Sequence, residues 1–210
     1  MTPNLVQALR LMLVTDDVLL AGRDLVALAR TAEAAGVTSL QVRLKQATAR
    51  DVVAVTRALI AALGIPVFVN DRPDIALAAG AAGVHLGDDD LPVAAVRRLA
   101  PPGFLIGASV GAPHEAARGA GADYWGVGPY HGTATKHDAG AAIGARGVQL
   151  VTGLVGAPPC VAIGGVTPAD AAAIRAAGAA GMAVVSGLLR ADDIAVAAHA
   201  YVAAWGVDHG

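Results

Sequence analysis

The stretch Ser39-Leu-Gln-Val-Arg-Leu-Lys45 has the apolar character of a buried strand, but it places three large polar groups on alternate residues. Alternate side chains of a strand share a face, so Gln41, Arg43 and Lys45 are expected to converge while Leu44 faces away. Burying such groups costs free energy unless a partner satisfies them. The stretch therefore predicts an anionic, hydrogen-bonding ligand on one face of a strand.

The same pattern of a short apolar run followed by a helical segment recurs along the whole chain. Strands are predicted over 11–16, 39–45, 66–71, 83–87, 104–109, 124–129, 160–165 and 182–186. Helices are predicted over 24–35, 48–63, 73–79, 92–100, 113–120, 146–155, 167–177 and 192–205, with a long loop over 130–144. Eight strand–helix units without a hairpin signal favour an α/β fold, a (β/α)₈ TIM barrel, over an open doubly wound sheet.

Length and composition are consistent with that barrel. The chain has 210 residues, of which 55% are hydrophobic and 15% charged, so it can bury a large core. With no linker or composition shift, we expect a single domain over 1–210, with 1–10 as an N-terminal extension and 206–210 as a C-terminal tail. The length lies at the small end of the barrel range.

Charge and hydropathy exclude several classes of partner. The net charge of −2 gives no basic footprint for nucleic acid or an anionic membrane. The start of the chain lacks the pattern of a signal peptide, and the longest uncharged run, 147–169, is interrupted by glycines and prolines. The single cysteine, Cys160, allows no intrachain disulfide. A cytoplasmic protein acting on small molecules is expected, and a homo-oligomer is left open.

Polar residues gather where the predicted strands end. In a TIM barrel these ends meet at one face and build the active site. The clusters are Lys45, Asn70-Asp71, Asp88-Asp89-Asp90, Ser109, Thr133-Ala-Thr135-Lys136, Gly164-Gly165 and Val185-Ser186. Any one of them could be a solvated turn, but seven at strand ends together favour a site.

The acidic clusters predict a metal ion. Asn70-Asp71 and Asp88–Asp90 follow neighbouring strands, so their carboxylates can share a hard divalent ion. Mg²⁺ takes one or two protein carboxylates together with water and substrate phosphate oxygens. The alternative is that the second cluster caps the helix near Pro92, and at least one of its three residues is expected to do so.

The basic residues predict what the metal would accompany. Arg43, Lys45 and Lys136 face those acids, and metal with cations indicates a polyanion such as diphosphate. Thr133 and Thr135 alternate before Lys136, so both hydroxyls can line one wall. A long loop of this kind is usually functional, although a solvated excursion is the alternative.

Gly164-Gly165 and Val185-Ser186 predict a second anion site. Backbone amides after the seventh and eighth strands form the recurrent phosphate site of this fold. The alternative is a pair of tight turns that need glycine for their backbone geometry. The two sites would differ, one using metal and cations and the other backbone amides.

The histidines and the cysteine are less informative. His85 lies within a strand and is expected to be a satisfied interior group. His131 and His137 flank the Thr–Lys segment, where either could contact substrate or only water. Cys160 opens a strand and is expected to be buried and inert.

Taken in order, these motifs resemble the thiamine-phosphate synthase family over about 11–189. The motifs are Leu-Val-Thr-Asp (13–16), Gln-x-Arg-x-Lys (41–45), Asn-Asp (70–71), Gly-Val-His-Leu-Gly (83–87), Thr-x-Thr-Lys (133–136), Ala-Ile-Gly-Gly-Val-Thr-Pro (162–168) and Ala-Val-Val-Ser (183–186). The family is a (β/α)₈ barrel of thiamine biosynthesis. It is a transferase that joins 4-amino-2-methyl-5-hydroxymethylpyrimidine diphosphate to 4-methyl-5-(2-phosphooxyethyl)thiazole, releases diphosphate and uses Mg²⁺.

The resemblance implies a role for each matching residue. The residues implied to hold the pyrimidine diphosphate are Gln41, Arg43, Lys45, Asn70, Ser109 and Lys136. Those implied to hold the thiazole phosphate are Thr133 to Thr135, Gly165, Val185 and Ser186. Asp71 and Asp90 would carry Mg²⁺. The catalytic set would be Arg43, Lys45, Ser109 and Lys136. The implied mechanism is dissociative: diphosphate leaves, the pyrimidine stabilises the cation, and the thiazole nitrogen attacks it without a general base.

The chain departs from the family pattern at several positions. Leu44 stands where glutamate is usual, but it is expected to face the helix layer and to leave the site undisturbed. The acidic loop reads Gly87-Asp-Asp-Asp90 instead of Gly-Gln-Glu-Asp. Gly111 replaces a frequent histidine, and Gly132 a frequent proline.

Two other functions compete with this interpretation. A thiazole tautomerase of similar sequence needs no diphosphate site and would not be expected to keep Asp71, Asp90 and Thr135-Lys136 together. A non-catalytic barrel that binds a phosphorylated ligand would have little use for metal-binding acids around a leaving group.

Overall fold

The computed structural model describes residues 4–132 and 140–206. Within them, eight parallel strands pair in sequence order and close into a barrel, with β8 hydrogen-bonded to β1. The strands are β1 (Leu11–Val14), β2 (Ser39–Val42), β3 (Val67–Asn70), β4 (Gly83–Leu86), β5 (Leu105–Ser109), β6 (Tyr124–Val127), β7 (Cys160–Ile163) and β8 (Gly181–Val184). The predicted (β/α)₈ barrel is confirmed.

Most strands end earlier than the sequence predicts. β2 ends at Val42, so Arg43 to Lys45 belong to the loop that follows it. The ladder stops there because the Arg43 amide donates to the Thr15 hydroxyl at 2.6 Å instead of to the backbone of a neighbouring strand. The predicted strands include polar residues that follow the ladders, such as Thr15-Asp16 and Asp71, because the sequence pattern does not indicate where the pairing stops.

Helices cover the outside of the barrel. The described helices are α1 (Leu5–Ala8), α2 (Leu25–Ala34), α3 (Ala49–Ala62), α4 (Pro73–Ala79), α5 (Val93–Leu99), α6 (Gly144–Thr152), α7 (Ala171–Ala176), α8 (Ser186–Leu189) and α9 (Ile194–Trp205). Side chains cap several of them, including Thr48 before α3 and Asp193 before α9. No helix in the described ranges is both long and apolar enough to cross a membrane.

Two parts of the helix prediction were wrong. The segment 113–120 contains only a 3₁₀ turn, Pro113–Glu115, because its alanine- and glycine-rich remainder forms turns instead of a continuous helix. The prediction also missed α1 and α8, each of which has four residues, too few to show a helical period.

The core has two layers. The larger lies between the strands and the surrounding helices. The smaller fills the barrel interior with Leu9, Met12, Val14, Phe68, Tyr124, Val161 and Ala183. Leu9 is fully buried. Its carbonyl lies against Gly181 at the start of β8, which places Leu9 at the end of the barrel where the strands begin. Leu5 and Leu9, from the segment expected to be an N-terminal extension, thus pack into the barrel interior.

Candidate active site

A cavity of about 230 Å³ opens at the carboxyl ends of the strands. Ten of the predicted site residues line it: Gln41, Arg43, Lys45, Asn70, Asp71, Asp90, Ser109, Gly165, Val185 and Ser186. The prediction that the polar strand ends converge is confirmed for these residues. Thr133, Thr135, Lys136 and His137 lie outside the described residues.

The two cations after β2 are each paired with a carboxylate. Arg43 Nη1 lies 3.2 Å from Asp16 Oδ2, and both side chains are mostly buried. Lys45 Nζ lies 3.3 Å from Asp71 Oδ2, with half of the lysine side chain exposed. Arg43 is therefore fixed by its surroundings, whereas Lys45 extends towards the mouth of the cavity.

Asp71 and Asp90 form a pair of facing carboxylates. Asp71 follows β3 with a φ of +65°, a left-handed conformation that is uncommon outside glycine. Asp90 Oδ2 accepts the Gly87 amide at 2.6 Å, which turns its carboxylate into the cavity. The pKa of Asp90 is raised to about 6, chiefly by burial and also by the hydrogen bond and charge of Asp71, against the lowering effects of Gly87 and Lys45. Such a pair repels itself unless a cation or a proton lies between the oxygens.

This arrangement fits Mg²⁺. Among the described residues, no group of three or more His, Cys, Asp or Glu side chains is placed to hold a metal alone. Mg²⁺ seldom needs such a cage, since one or two carboxylates suffice when water and substrate phosphates complete the shell. Asp71 and Asp90 supply two carboxylates, and both line the cavity.

Asp88 and Asp89 line the same cavity, but their surroundings differ from those of this pair. Both are exposed, and Asp88 pairs with Arg118 on the next loop. The expectation that one of the three acids caps the following helix was wrong. The N-cap of α5 is Pro92, and no side chain bonds to it. The helix begins directly after the proline, and Asp90 instead accepts a hydrogen bond from the Gly87 amide.

Beneath the cavity, a histidine joins two hydroxyls. His85 is 8% exposed, with Nε2 at 3.1 Å from Ser109 Oγ and Nδ1 at 3.1 Å from Tyr124 Oη. Gly126 makes room for this ring, because a Cβ there would lie 2.9 Å from His85 Cε1. The prediction of a satisfied interior histidine is confirmed, but His85 also lines the cavity and orients Ser109.

Gln41 lies at the inner wall of the cavity. Its side chain is 3% exposed and its amide lies 3.7 Å from the Met12 sulfur. A thioether is a weak acceptor, so this contact satisfies only part of the hydrogen-bonding capacity of the amide.

Gly164 and Gly165 follow β7 in left-handed conformations, with φ of +95° and +67°. A Cβ on Gly165 would lie 2.9 Å from the Cβ of His131. The turn geometry therefore requires glycine, as the alternative interpretation expects, and both glycines line the cavity; the phosphate site stays a prediction. His131 itself lies 3.0 Å from Asp170, which also accepts from the amide and hydroxyl of Thr167.

Sequence reasoning gave no role to the residues that follow β1. Thr15, Asp16 and Asp17 all bond to the loop after β2. An acidic pair directly after a strand was the available signal, but acids at strand ends were assigned only to metal binding. Cys160 is buried as expected, and burial raises the pKa of its thiol to about 12.

Comparison with known proteins gives a consistent result. A model of the family described as thiamine monophosphate synthase matches residues 11–188. A thiamine-phosphate synthase of Methanoculleus marisnigri is 45% identical over 193 residues, covering 90% of this chain and 91% of that protein. One of Azorhizobium caulinodans is 47% identical over 195 residues, covering 90% and 92%. The solved structure of a thiamine phosphate pyrophosphorylase from Pyrococcus furiosus superposes with a TM-score of 0.85 at 33% identity, covering 96% of this chain and 98% of that one.

Proposed function

The chain belongs to the thiamine monophosphate synthase family, and we propose that it condenses 4-amino-2-methyl-5-hydroxymethylpyrimidine diphosphate with 4-methyl-5-(2-phosphooxyethyl)thiazole. The products are thiamine phosphate and diphosphate. The observation that supports this most is that one cavity is lined by two different sets of anion-binding groups. One set has cations and paired carboxylates, and the other has glycine backbone.

The pyrimidine diphosphate would lie across the ends of β2 to β5. Arg43 and Lys45 would address the diphosphate, with Asn70 and Ser109 donating hydrogen bonds and Lys136 contributing from the loop after β6. Gln41, at the inner wall, would hydrogen-bond the pyrimidine ring. Because Asp16 holds Arg43 and His85 holds Ser109, these donors are oriented before substrate arrives, which reduces the cost of binding.

Asp71 and Asp90 would hold Mg²⁺, whose charge would relieve the repulsion between them. Bound there, the ion supplies charge neutralisation for the departing diphosphate. The Gly87 amide fixes the orientation of the Asp90 carboxylate, and the ion pair with Lys45 fixes that of Asp71. The same lysine thus lies beside the acids and beside the anion they help to bind.

The thiazole phosphate would lie at the ends of β7 and β8. Gly165 brings its backbone to the cavity without a side chain, and Val185 and Ser186 line the same wall. Thr133 and Thr135 would contribute from the loop after β6. Separate phosphate sites would hold the two substrates in one orientation, with the thiazole nitrogen towards the pyrimidine methylene carbon.

The chemistry this arrangement supports is dissociative. The carbon–oxygen bond to diphosphate breaks first, and the pair of electrons leaves with the diphosphate. Arg43, Lys45 and Lys136 would stabilise the charge that grows on that leaving group. The thiazole nitrogen then attacks the pyrimidine cation, and its lone pair needs no base to release it. A cavity that brings Arg43 and Lys45 beside the proposed diphosphate position suits this reaction.

A direct assay tests the proposal. Purified protein is incubated with both substrates and Mg²⁺, and thiamine phosphate is sought by mass spectrometry. Parallel reactions omit one substrate or replace Mg²⁺ with a chelator. Product that requires both substrates supports the synthase. If no product forms while a thiazole carboxylate is isomerised, the enzyme is instead a tautomerase.

A further inference from the structure

The three residues after β1 make a concentrated set of contacts with the loop that carries the cations. The Thr15 hydroxyl accepts the Arg43 amide at 2.6 Å and donates to the Arg43 carbonyl at 3.2 Å. Asp17 accepts the amides of Lys45 and Gln46 at 2.7 and 3.3 Å. One short segment thus replaces the strand pairing that ends at Val42 and fixes the backbone of the following loop.

Asp16 acts on the side chain of that loop. Its Oδ2 lies 3.2 Å from Arg43 Nη1, and its Oδ1 accepts the amides of Val18 and Leu19 at 3.1 and 3.3 Å. Both oxygens are engaged, so the carboxylate has a single orientation. A guanidinium carries five N–H groups in a fixed plane, so one bond to Asp16 sets the direction of the others.

We propose that Thr15, Asp16 and Asp17, here called the β1 bracket, position Arg43 and Lys45 for the diphosphate of the substrate. Thr15 and Asp17 fix the backbone of residues 43–46, here called the cation loop, and Asp16 fixes the plane of the Arg43 guanidinium. None of the three lines the cavity, so the bracket acts through the cations and not on the substrate. The inference rests on the proposed function for the identity of the anion.

Electrostatics alone predicts the opposite effect of removing Asp16. A carboxylate beside Arg43 weakens the positive potential that attracts diphosphate, so its loss would by charge alone strengthen binding. Positioning predicts weaker binding, because a free arginine side chain must give up rotamer entropy to reach the ligand. The sign of the change in affinity therefore separates the two effects.

The test compares Asp16→Ala with the unmodified protein. Calorimetry with inorganic diphosphate and Mg²⁺ gives the dissociation constant, and steady-state kinetics gives KM for each substrate. We expect the dissociation constant and the KM for the pyrimidine diphosphate to rise roughly tenfold. A change of this size corresponds to the loss of one charge-assisted hydrogen bond. The KM for the thiazole phosphate should stay within about twofold, since that site lies at β7 and β8. Asp16→Asn keeps an acceptor oxygen and should recover part of the loss.

Asp123→Ala is the matched control. Asp123 also bonds to an arginine, Arg97 at 2.6 Å, and to a backbone amide, that of Ile106 at 2.7 Å, but at the start of β6. It should lower the melting temperature without changing either KM. Thermal melting of all variants shows whether they fold. Should Asp16→Ala fail to fold, Asp17→Ala gives the same comparison through the amides of the cation loop.

The outcomes distinguish the inference from the function. If a folded Asp16→Ala binds diphosphate as tightly as the unmodified protein or more tightly, or if both KM values rise together, the β1 bracket does not position the cations. If the unmodified protein makes no thiamine phosphate, the proposed function fails, and binding of inorganic diphosphate still decides the role of Asp16.

Discussion

The two ends of the barrel are formed by the same eight strands but are filled in opposite ways. Where the strands begin, Leu9 and Met12 belong to an apolar interior that extends to Phe68 and Tyr124. Where they end, the interior becomes a cavity lined by charged side chains and glycine backbone. The first end buries apolar surface and the second leaves polar groups for a ligand.

Ion pairs show the same division. Arg97 and Asp123 pair at the amino-terminal end, where the carboxylate also ties the β5 backbone. At the other end, Lys45 pairs with Asp71, which itself faces Asp90. The first pair completes the hydrogen bonding of the fold, whereas the second leaves two acids in mutual repulsion. We infer that stability is concentrated at one end and binding at the other, as expected for this fold.

The largest effect should come from Asp90→Asn. The variant loses a carboxylate proposed to bind Mg²⁺, so turnover should fall roughly a thousandfold, similar to the loss of other groups that stabilise a leaving group. Its melting temperature should not fall, because the repulsion with Asp71 is removed. Steady-state kinetics with a Mg²⁺ titration, together with thermal melting, measures both. Asp88→Asn is the control and should remain active. Normal kinetics in Asp90→Asn would instead assign the metal to Asp88 or Asp89.

The opposite end should respond in the opposite way to Leu9→Ala. Removing this buried side chain should lower the free energy of unfolding by about 3 kcal/mol through lost burial and the cavity left behind. KM and turnover of the folded enzyme should be unchanged, because Leu9 lies at the far end from the cavity. Urea unfolding and kinetics at low temperature test this. A changed KM would show that the two ends are coupled more strongly than their separation indicates.

A smaller effect should follow from Gly165→Ala, which brings a methyl group into the left-handed turn after β7. The new Cβ would meet His131, so the KM for the thiazole phosphate should rise about tenfold while that for the pyrimidine diphosphate stays constant. Gly80→Ala is the matched control, with a φ of +77° and no described atom within 4 Å of the added Cβ. Both variants should lose about 1 kcal/mol of stability, but only Gly165→Ala should change KM.

The smallest effect should come from Leu44→Glu, which introduces the residue usual in the family. Leu44 packs against the outer core, on the side away from the cavity lining. Both KM values should therefore stay within twofold, with a stability loss of about 1 kcal/mol. A tenfold change in KM for the pyrimidine diphosphate would show that position 44 acts on its neighbours Arg43 and Lys45.

The sequence predicted the parts of this molecule that repeat or that lie at strand ends. Alternating apolar runs with helical segments between them were enough for the barrel, and barrel geometry then brought Lys45, Asp71 and Ser109 together. The limits of β2 were not predictable, because they depend on the hydroxyl of Thr15, which is close only in the folded chain. The different partners of Asp90 and Asp88, the Gly87 amide and Arg118, were likewise not predicted. The contacts of Thr15 and Arg118 join residues that no local pattern connects, whereas the Gly87–Asp90 bond spans only three residues.

Tyr124 lies where the two ends meet. Its ring packs edge-on against Phe68 in the apolar interior, with centroids 5.6 Å apart, and its hydroxyl bonds to His85. This tyrosine limits which substitutions the barrel interior can accept, in design or in evolution. Changes in the apolar interior that leave the ring of Tyr124 in place should preserve the catalytic face, whereas replacing Tyr124 should alter both. A designer wishing to graft new chemistry onto the scaffold should therefore keep residue 124 fixed and vary the loops above it.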